Sequence, residues 1–155
     1  MMPDVRRAGP RDGPTLIGLM TEFYAESGYR LDLDRAGAAF DRLLRDERLG
    51  QVWLVELEAA AAGYLVLTLC YSMEFGGLCG WIDDLFVRPN ARNGGVAGRL
   101  LEAARRSAQA AGVRALHVEA AADNVPAQRA YRRAGMRPVE RQLLTLELAE
   151  PSHLR

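Results

Sequence analysis

The sequence predicts one α/β domain, a mixed β-sheet with helices on both faces, in the order β-α-α-β-β-β-α-β-α-β-β. Three observations carry that expectation. Runs of alternating apolar and polar residues trade places along the chain with runs of helical period. Between Trp81 and Ala121 a strand, a glycine-rich turn, a helix and another strand follow one another, a unit that should close as a right-handed parallel crossover. The chain has 155 residues, 49% of them hydrophobic, which is one domain's worth of core. At that size roughly 68–70% of the unfolded surface can be buried without a disulfide or a metal.

Each element has its own signal. Asp4 to Ala8 predicts a short first strand, ended by Gly9-Pro10. Leu16, Leu19, Met20 and Phe23 recur at helical spacing, and Ser27-Gly28 breaks that helix. Asp34 opens a second helix with Ala36, Phe40, Leu43 and Leu44 as its apolar face. Gln51 to Leu57 alternates and is rich in β-formers, so it predicts a strand, and Ala61 to Met73 predicts a longer one. Phe75-Gly76-Gly77 reads as a hairpin turn, after which Trp81 to Arg88 forms the next strand and Pro89-Asn90 ends it. Val96 to Ala111 is the clearest helix. Its expected apolar stripe is Val96, Leu100, Ala103, Ser107 and Ala111, and Gly112 takes the C-terminal position. Leu116 to Ala121 predicts a strand, Asn124 caps a short helix to about Arg133, and Gly135 stops it. Two final strands are expected on either side of Glu140-Arg141.

Composition removes several chemistries. Twenty basic residues balance twenty acidic ones, and every basic residue is arginine. Without lysine there is no Schiff-base or cofactor-anchoring amine and no lysine-bearing phosphate loop. A net charge of zero argues against a nucleic-acid partner held by bulk electrostatics. His117 and His153 are too few for a Cys/His metal cage, so no metal is expected, and Cys70 and Cys79 read as buried strand residues rather than a disulfide. The longest charge-free stretch, Ala59 to Met73, falls short of the ~18 apolar residues of a membrane span. The opening MMPDVRRAGPRD lacks the apolar core of a signal peptide. A cytoplasmic protein with no membrane partner is the expectation.

The turn Arg92-Asn93-Gly94-Gly95-Val96-Ala97-Gly98 sits between the end of a strand and the start of a helix. There, glycines relax the limits on φ, several backbone N–H groups can converge on one point, and the helix dipole adds positive potential. Such a turn can bind a phosphate or pyrophosphate without lysine, with Arg92 supplying a permanently charged fork beside it. A plain connector would use the same residues. A dinucleotide fingerprint is not matched in register.

Two flanking segments narrow the choice. Ile82-Asp83-Asp84-Leu85-Phe86-Val87-Arg88-Pro89 precedes the turn, and Asn124, Ala127, Tyr131 and Gly135 follow at spacings of three, four and four. Together with Arg92, Gly95 and Ala97 in the turn, they resemble the GNAT superfamily of acyl-CoA-dependent N-acetyltransferases over about Ile82 to Met136. The closest likeness is to spermidine/spermine-type and other small-amine enzymes. Ala91, Asn93 and Met136 depart from the usual pattern. The resemblance implies that residues 1–155 form a single acyl-CoA N-acyltransferase domain with a splayed cofactor cleft. It further implies that acetyl-CoA places its pyrophosphate on the amides of Asn93, Gly94, Gly95, Val96, Ala97 and Gly98 beside Arg92. The pantetheine arm would pair along Leu85, Phe86 and Val87, with Asn124 and Ala127 facing it.

For chemistry, the resemblance makes Tyr131 the general acid. A phenol near pKa 10 remains protonated at neutral pH, as a proton donor to the departing CoA thiolate must. An ammonium has no lone pair, so a base is also needed. Asp83 and Asp84 are adjacent on a strand and should face opposite sides, Asp83 on the side of Trp81, Leu85 and Val87. Asp83 is the first choice, acting through a bridging water, and Asp84 the second; simple attraction of a cation is the alternative for both. The acceptor, expected to be a small-molecule amine, should be held by residues among Glu22, Tyr24, Glu26, Tyr71 and Glu74, although the glutamates could equally be solvated. A peptide or protein acceptor and a non-catalytic acyl-CoA sensor are the competing readings, and a homodimer through the C-terminal strands is a further expectation.

Overall fold

In a computed structural model describing residues 2–149, five strands form one sheet in the order β1-β2-β3-β4-β5. They are β1 (Asp4–Arg7), β2 (Gly50–Leu57), β3 (Ala60–Ser72), β4 (Gly77–Val87) and β5 (Ala115–Val118). The first four are antiparallel neighbours, and β5 runs parallel to β4. Helices α1 (Gly13–Ser27) and α2 (Leu33–Arg45) connect β1 to β2, α3 (Val96–Ala110) is the crossover from β4 to β5, and α4 (Val125–Arg133) follows β5. No helix among the described residues is long and apolar enough to cross a membrane.

Alternation along the strands gives the sheet two buried faces. Val55, Leu65, Leu67, Ile82 and Val87 pack under Val96, Leu100, Leu101, Ala104 and Ala108 of α3. On the opposite face Val52, Leu54, Tyr64, Val66 and Phe86 meet Leu16 and Leu19 of α1 and Phe40 of α2. Asn124 caps α4 as the sequence implies, its Oδ1 accepting from the Ala127 N–H at 3.2 Å; α2 instead starts at Leu33, capped by Asp32, whose Oδ1 accepts from the Arg35 N–H at 3.0 Å, and Asp34 falls in its first turn.

Four expectations need correction. First, β4 begins at Gly77, four residues before Trp81. The glycines that disguised it are what the packing demands. A Cβ at Gly77 would lie 2.8 Å from Arg114 Nε, and one at Gly80 would lie 2.8 Å from the Leu116 and Leu67 methyls. Second, α3 buries Val96, Leu100, Ala104 and Ala108, a steady four-residue step, in place of the stripe through Ala103 and Ala111. Third, Cys79 is buried but Cys70 is exposed, because its stretch of β3 runs out beyond the helices.

Fourth, the last two strands do not form. Met136 N–H closes onto Tyr131 C=O, Arg141 N–H bends back to Val139 C=O at 2.9 Å, and residues 137–149 join no ladder. The Arg141 guanidinium grips Glu74 on the β3–β4 hairpin at 2.8 and 2.9 Å. The segment is thereby drawn toward the hairpin instead of along β5, and a strand without a neighbour's backbone has nothing to pair with. His153 lies outside the described residues.

Leu100 is fully buried between α3 and the sheet. Truncating it to alanine should lower unfolding free energy by about 2–5 kcal/mol, read as a lower urea midpoint with an unchanged slope.

Candidate functional site

The site begins where β4 and β5 part. Their pairing covers only Cys79–Ile82 against Ala115–Val118. Beyond Ile82, β4 continues to Val87, still paired with β3, with no strand among the described residues on its other side. The Arg88 N–H donates to Ala62 C=O on β3 at 2.8 Å. Counting back by twos, the backbones of Phe86 and Asp84 also face β3, which turns those of Leu85 and Val87 into the gap. This is an open, pairing-competent edge, walled by α3 and α4, in a cleft of about 630 Å³.

A bulge marks the point of divergence. Val66 pairs with Asp84 and Leu67 with Ile82, so Asp83 has no partner in the ladder. One extra residue shifts the phase of alternation. Ile82, Leu85 and Val87 all pack in or against the α3-side core, so Trp81 and Leu85 fall on opposite sides of the sheet, where strict alternation would have put them together with Asp83. The two carboxylates separate sharply: Asp83 is exposed, whereas Asp84 is 5% exposed and accepts a hydrogen bond from the Tyr64 hydroxyl at 3.0 Å.

Tyr131 comes to the same place from α4. It packs against the α3-side core and borders both the cleft and a second groove along β5 and the β3–β4 hairpin. Burial, reinforced by the negative charge of Asp84, pushes its phenol up to about 12. Ala127, Ala130 and Ala134 line the cleft from the same helix, and small side chains there leave the gap open.

The turn into α3 is also built as the sequence implies. Asn93 (φ 65°) and Gly95 (φ 75°) are left-handed, and α3 starts at Val96 with no side chain capping it. The N–H groups of Val96, Ala97 and Gly98 therefore have no acceptor within the helix and point toward the cleft mouth. Arg92 is committed elsewhere. Its Nε donates to Val87 C=O at 2.8 Å, its Nη2 pairs with Glu26 at 2.7 Å, and its guanidinium lies over the Phe86 ring. The turn therefore presents backbone N–H groups, and Arg92 braces it from the side.

The residues expected to hold an acceptor are not brought together. Glu22 forms a forked pair with Arg88, which keeps its carboxyl below the usual range. Tyr24 packs edge-on against Phe23 and Tyr29. Both belong to α1, near the cleft. Tyr71 and Glu74 lie at the hairpin, on the second groove, where Glu74 is tied to Arg141 and its carboxyl is likewise lowered. The sequence reading missed Tyr64, which fixes Asp84; seeing it required the β3–β4 register. It also passed over His117, whose ring sits 5.1 Å from Trp81 and 5.6 Å from Phe75 on the wall of that groove. Among the described residues, no three His, Cys, Asp or Glu side chains converge to hold a metal.

The open β4 edge, the left-handed turn and the bare helix start fit a ligand with an amide-bearing arm and a pyrophosphate. Gly95→Val, which forces a β-branched residue into left-handed φ, should weaken acetyl-CoA binding at least tenfold by calorimetry. The thermal midpoint should fall by only a few degrees.

Comparison with known proteins agrees with this geometry. No curated protein matches the sequence. An integron cassette protein from the mobile metagenome of Cole Harbour Salt Marsh is 44% identical, covering 95% of this chain and 91% of its own, with a TM-score of 0.87. An aminoglycoside N-acetyltransferase solved in complex with CoA is 19% identical, with 96% of both chains covered and a TM-score of 0.80. A ribosomal-protein-alanine N-acetyltransferase from Brucella melitensis biovar Abortus 2308 is 18% identical, covering 95% of this chain and all of its own, with a TM-score of 0.77. The model of the acetyltransferase (GNAT) family matches residues 16–136, from within α1 to just past α4, and the chain is a member of that family of acetyl-CoA-dependent N-acetyltransferases.

Proposed function

We propose that this enzyme transfers the acetyl group of acetyl-CoA to a primary amine of a small molecule, by direct attack of the amine on the thioester. The observation that carries the proposal is Tyr131, a largely buried phenol that feels the charge of Asp84 and borders both the cleft along the β4 edge and the second groove.

In this reading the backbones of Leu85 and Val87 align the pantetheine arm, and the amides at the start of α3 seat the pyrophosphate. Phe86, whose backbone is engaged with β3, supports the edge from the opposite core. Asn124 sets the start of α4 and, with Ala127, borders the arm. Asp83, exposed on its bulge, attracts the ammonium form of the acceptor and takes its proton through a bridging water. The amine nitrogen then attacks the carbonyl carbon, and the N–H of Leu85 faces the oxygen on which negative charge builds. When the C–S bond breaks, the sulfur takes the Tyr131 proton, and the second proton that the attacking nitrogen sheds as the amide forms restores the phenol. Asp84 does not exchange protons with the acceptor. Burial of Tyr131 is the main reason its phenol stays protonated, and the charge of Asp84, which is held by Tyr64, adds to it. The two free thiols suit a reducing, cytoplasmic setting.

CoA release from acetyl-CoA should be assayed over a panel of small amines, aminoglycosides and peptides. Turnover on small amines supports the proposal, turnover on peptides alone replaces the acceptor, and tight CoA binding without turnover makes the protein a sensor. Tyr131→Phe should lower kcat by about 10²-fold or more, with the acetyl-CoA Kd unchanged. An unaltered rate would remove Tyr131 from the mechanism.

The acidity of Tyr131 also sets a pH dependence. Because its pKa is raised from 10.0 to about 12, the donor form persists through neutral and mildly alkaline solution. The associated stabilisation is complete below the unfolded value and is lost as pH climbs from 10 toward 12. Chemical denaturation across that window should show wild-type stability falling more steeply than that of Tyr131→Phe.

A further inference from the structure

The β3–β4 ladder sets the two cysteines of the chain directly opposite each other. Past the bulge, Thr68 pairs with Trp81, Cys70 with Cys79 and Ser72 with Gly77. Residues so opposed carry their side chains on one face of the sheet. The Leu69 N–H donates to Leu49 C=O on the β2 side at 2.8 Å, and Leu78 C=O accepts from the Arg114 N–H on the β5 side at 2.8 Å. By alternation the backbones of Cys70 and Cys79 turn toward each other. They form a hydrogen-bonded pair, with Cα atoms about 5.5 Å apart. A disulfide spans Cα separations of about 4.4–6.8 Å, so the ladder already holds the two residues within its reach. The Cβ atoms of such a pair stand about 5 Å apart, slightly wider than a relaxed disulfide takes.

The surroundings supply the rest. The pairing of β2 with β3 starts at Gly50 and Thr68, so beyond Leu69 the end of β3 has β4 as its one neighbour strand among the described residues and can close the last fraction of an ångström. Ser72 and Gly77 form the next pair on the same face, and Ala115 stands opposite Cys79 on β5. These small residues leave room for a sulfur bridge. The two thiols are unlike: Cys79 is fully buried and Cys70 is exposed. An oxidant from solution therefore meets Cys70 first, and Cys79 waits across the ladder, shielded from it.

We infer that Cys70 and Cys79 are a peroxide-responsive dithiol site that closes into a reversible cross-strand disulfide and clamps the β3–β4 hairpin. The Cys70 sulfur attacks one oxygen of a hydroperoxide and the O–O bond breaks, leaving a sulfenic acid on Cys70 and releasing water or an alcohol. The Cys79 sulfur then attacks the Cys70 sulfur. The S–S bond forms, the S–O bond breaks, and the hydroxyl leaves as water with the Cys79 proton. Two thiols lose two electrons and the peroxide gains them. The wide Cβ spacing strains the bridge, and strained disulfides are the readily reduced ones, so a small thiol returns the pair to its resting state. Both cysteines border the second groove, and the hairpin they clamp carries Tyr71 and Phe75 on its wall.

The folded chain should be treated with stoichiometric hydrogen peroxide, and its thiols counted after quenching and unfolding. The count should fall from two to zero and recover with dithiothreitol. The 17.1 kDa chain should lose about 2 Da, the mass of two hydrogens. Cleavage after Glu74 separates the cysteines, so the two peptides should stay joined until reduced. Circular dichroism and acetyl-CoA affinity should not change, since neither cysteine lines the cofactor cleft. Cys79→Ser should stop at a sulfenic acid on Cys70 that dimedone traps, and Cys70→Ser should keep its one buried thiol. A wild type that retains both thiols, stops at an oxygen acid on Cys70, or links two chains through Cys70 overturns the inference. A bridge that appears only as the circular dichroism signal is lost overturns it too, because the ladder would then not be what joins the pair.

Discussion

Everything at the active site depends on β4 serving two neighbours of unequal length. It must stay paired with β3 over its full run and release β5 after Ile82. Glycine lets β5 pair closely before it leaves: at Gly77 and Gly80 the side chains of Arg114, Leu116 and Leu67 lie where a Cβ would make them shift. The bulge at Asp83 makes the release possible, because an extra residue bends and twists the strand where β5 leaves it. One irregularity thus opens the ligand edge, sends Asp84 into the core and leaves Asp83 in water. Different environments for neighbouring, identical side chains follow from backbone phase alone.

The absence of lysine takes on a structural meaning in this frame. The arginines near the cleft act as braces. Arg88 joins Glu22 of α1 to the Ala61 carbonyl, and Arg92 joins Glu26 of α1 to the Val87 carbonyl. A planar fork can hold a carboxylate and a carbonyl in fixed directions at once, which an ammonium on a flexible stem does less well. Two such forks lock α1 to the end of β4, where the turn into α3 begins. Exposed pairs of this kind add little to global stability. Their contribution here is geometric.

The sequence reveals elements whose signals are local. The α1, α2, α3 and α4 segments, the β2–β3 alternation and the turn at Asn93–Gly95 could all be read from spacing and glycine placement. Tyr131 and Asn124 were reached through motif spacing within one short helix. What stayed hidden depends on contacts between distant residues. The Tyr64–Asp84 hydrogen bond spans twenty positions and is set by the bulge, which has no composition of its own. The ion pairs of Glu22, Glu26 and Glu74 span 66 or 67 positions, and no periodicity reports which arginine each will meet. The C-terminal leucines alternate as a strand would, yet residues 137–149 meet no neighbouring strand among the described residues.

The capping of the Val87 carbonyl by Arg92 bears on how this protein stays out of trouble. An exposed strand edge recruits other strands indiscriminately, and the β4 edge would be such a hazard if it were long and bare. It is neither. Only Leu85 and Val87 present their backbones, one of those carbonyls is occupied, and α3 and α4 stand on either side. A foreign polypeptide finds too short a template to extend a ladder. The catalytic gap is therefore protected from misassembly by being brief, not by being closed.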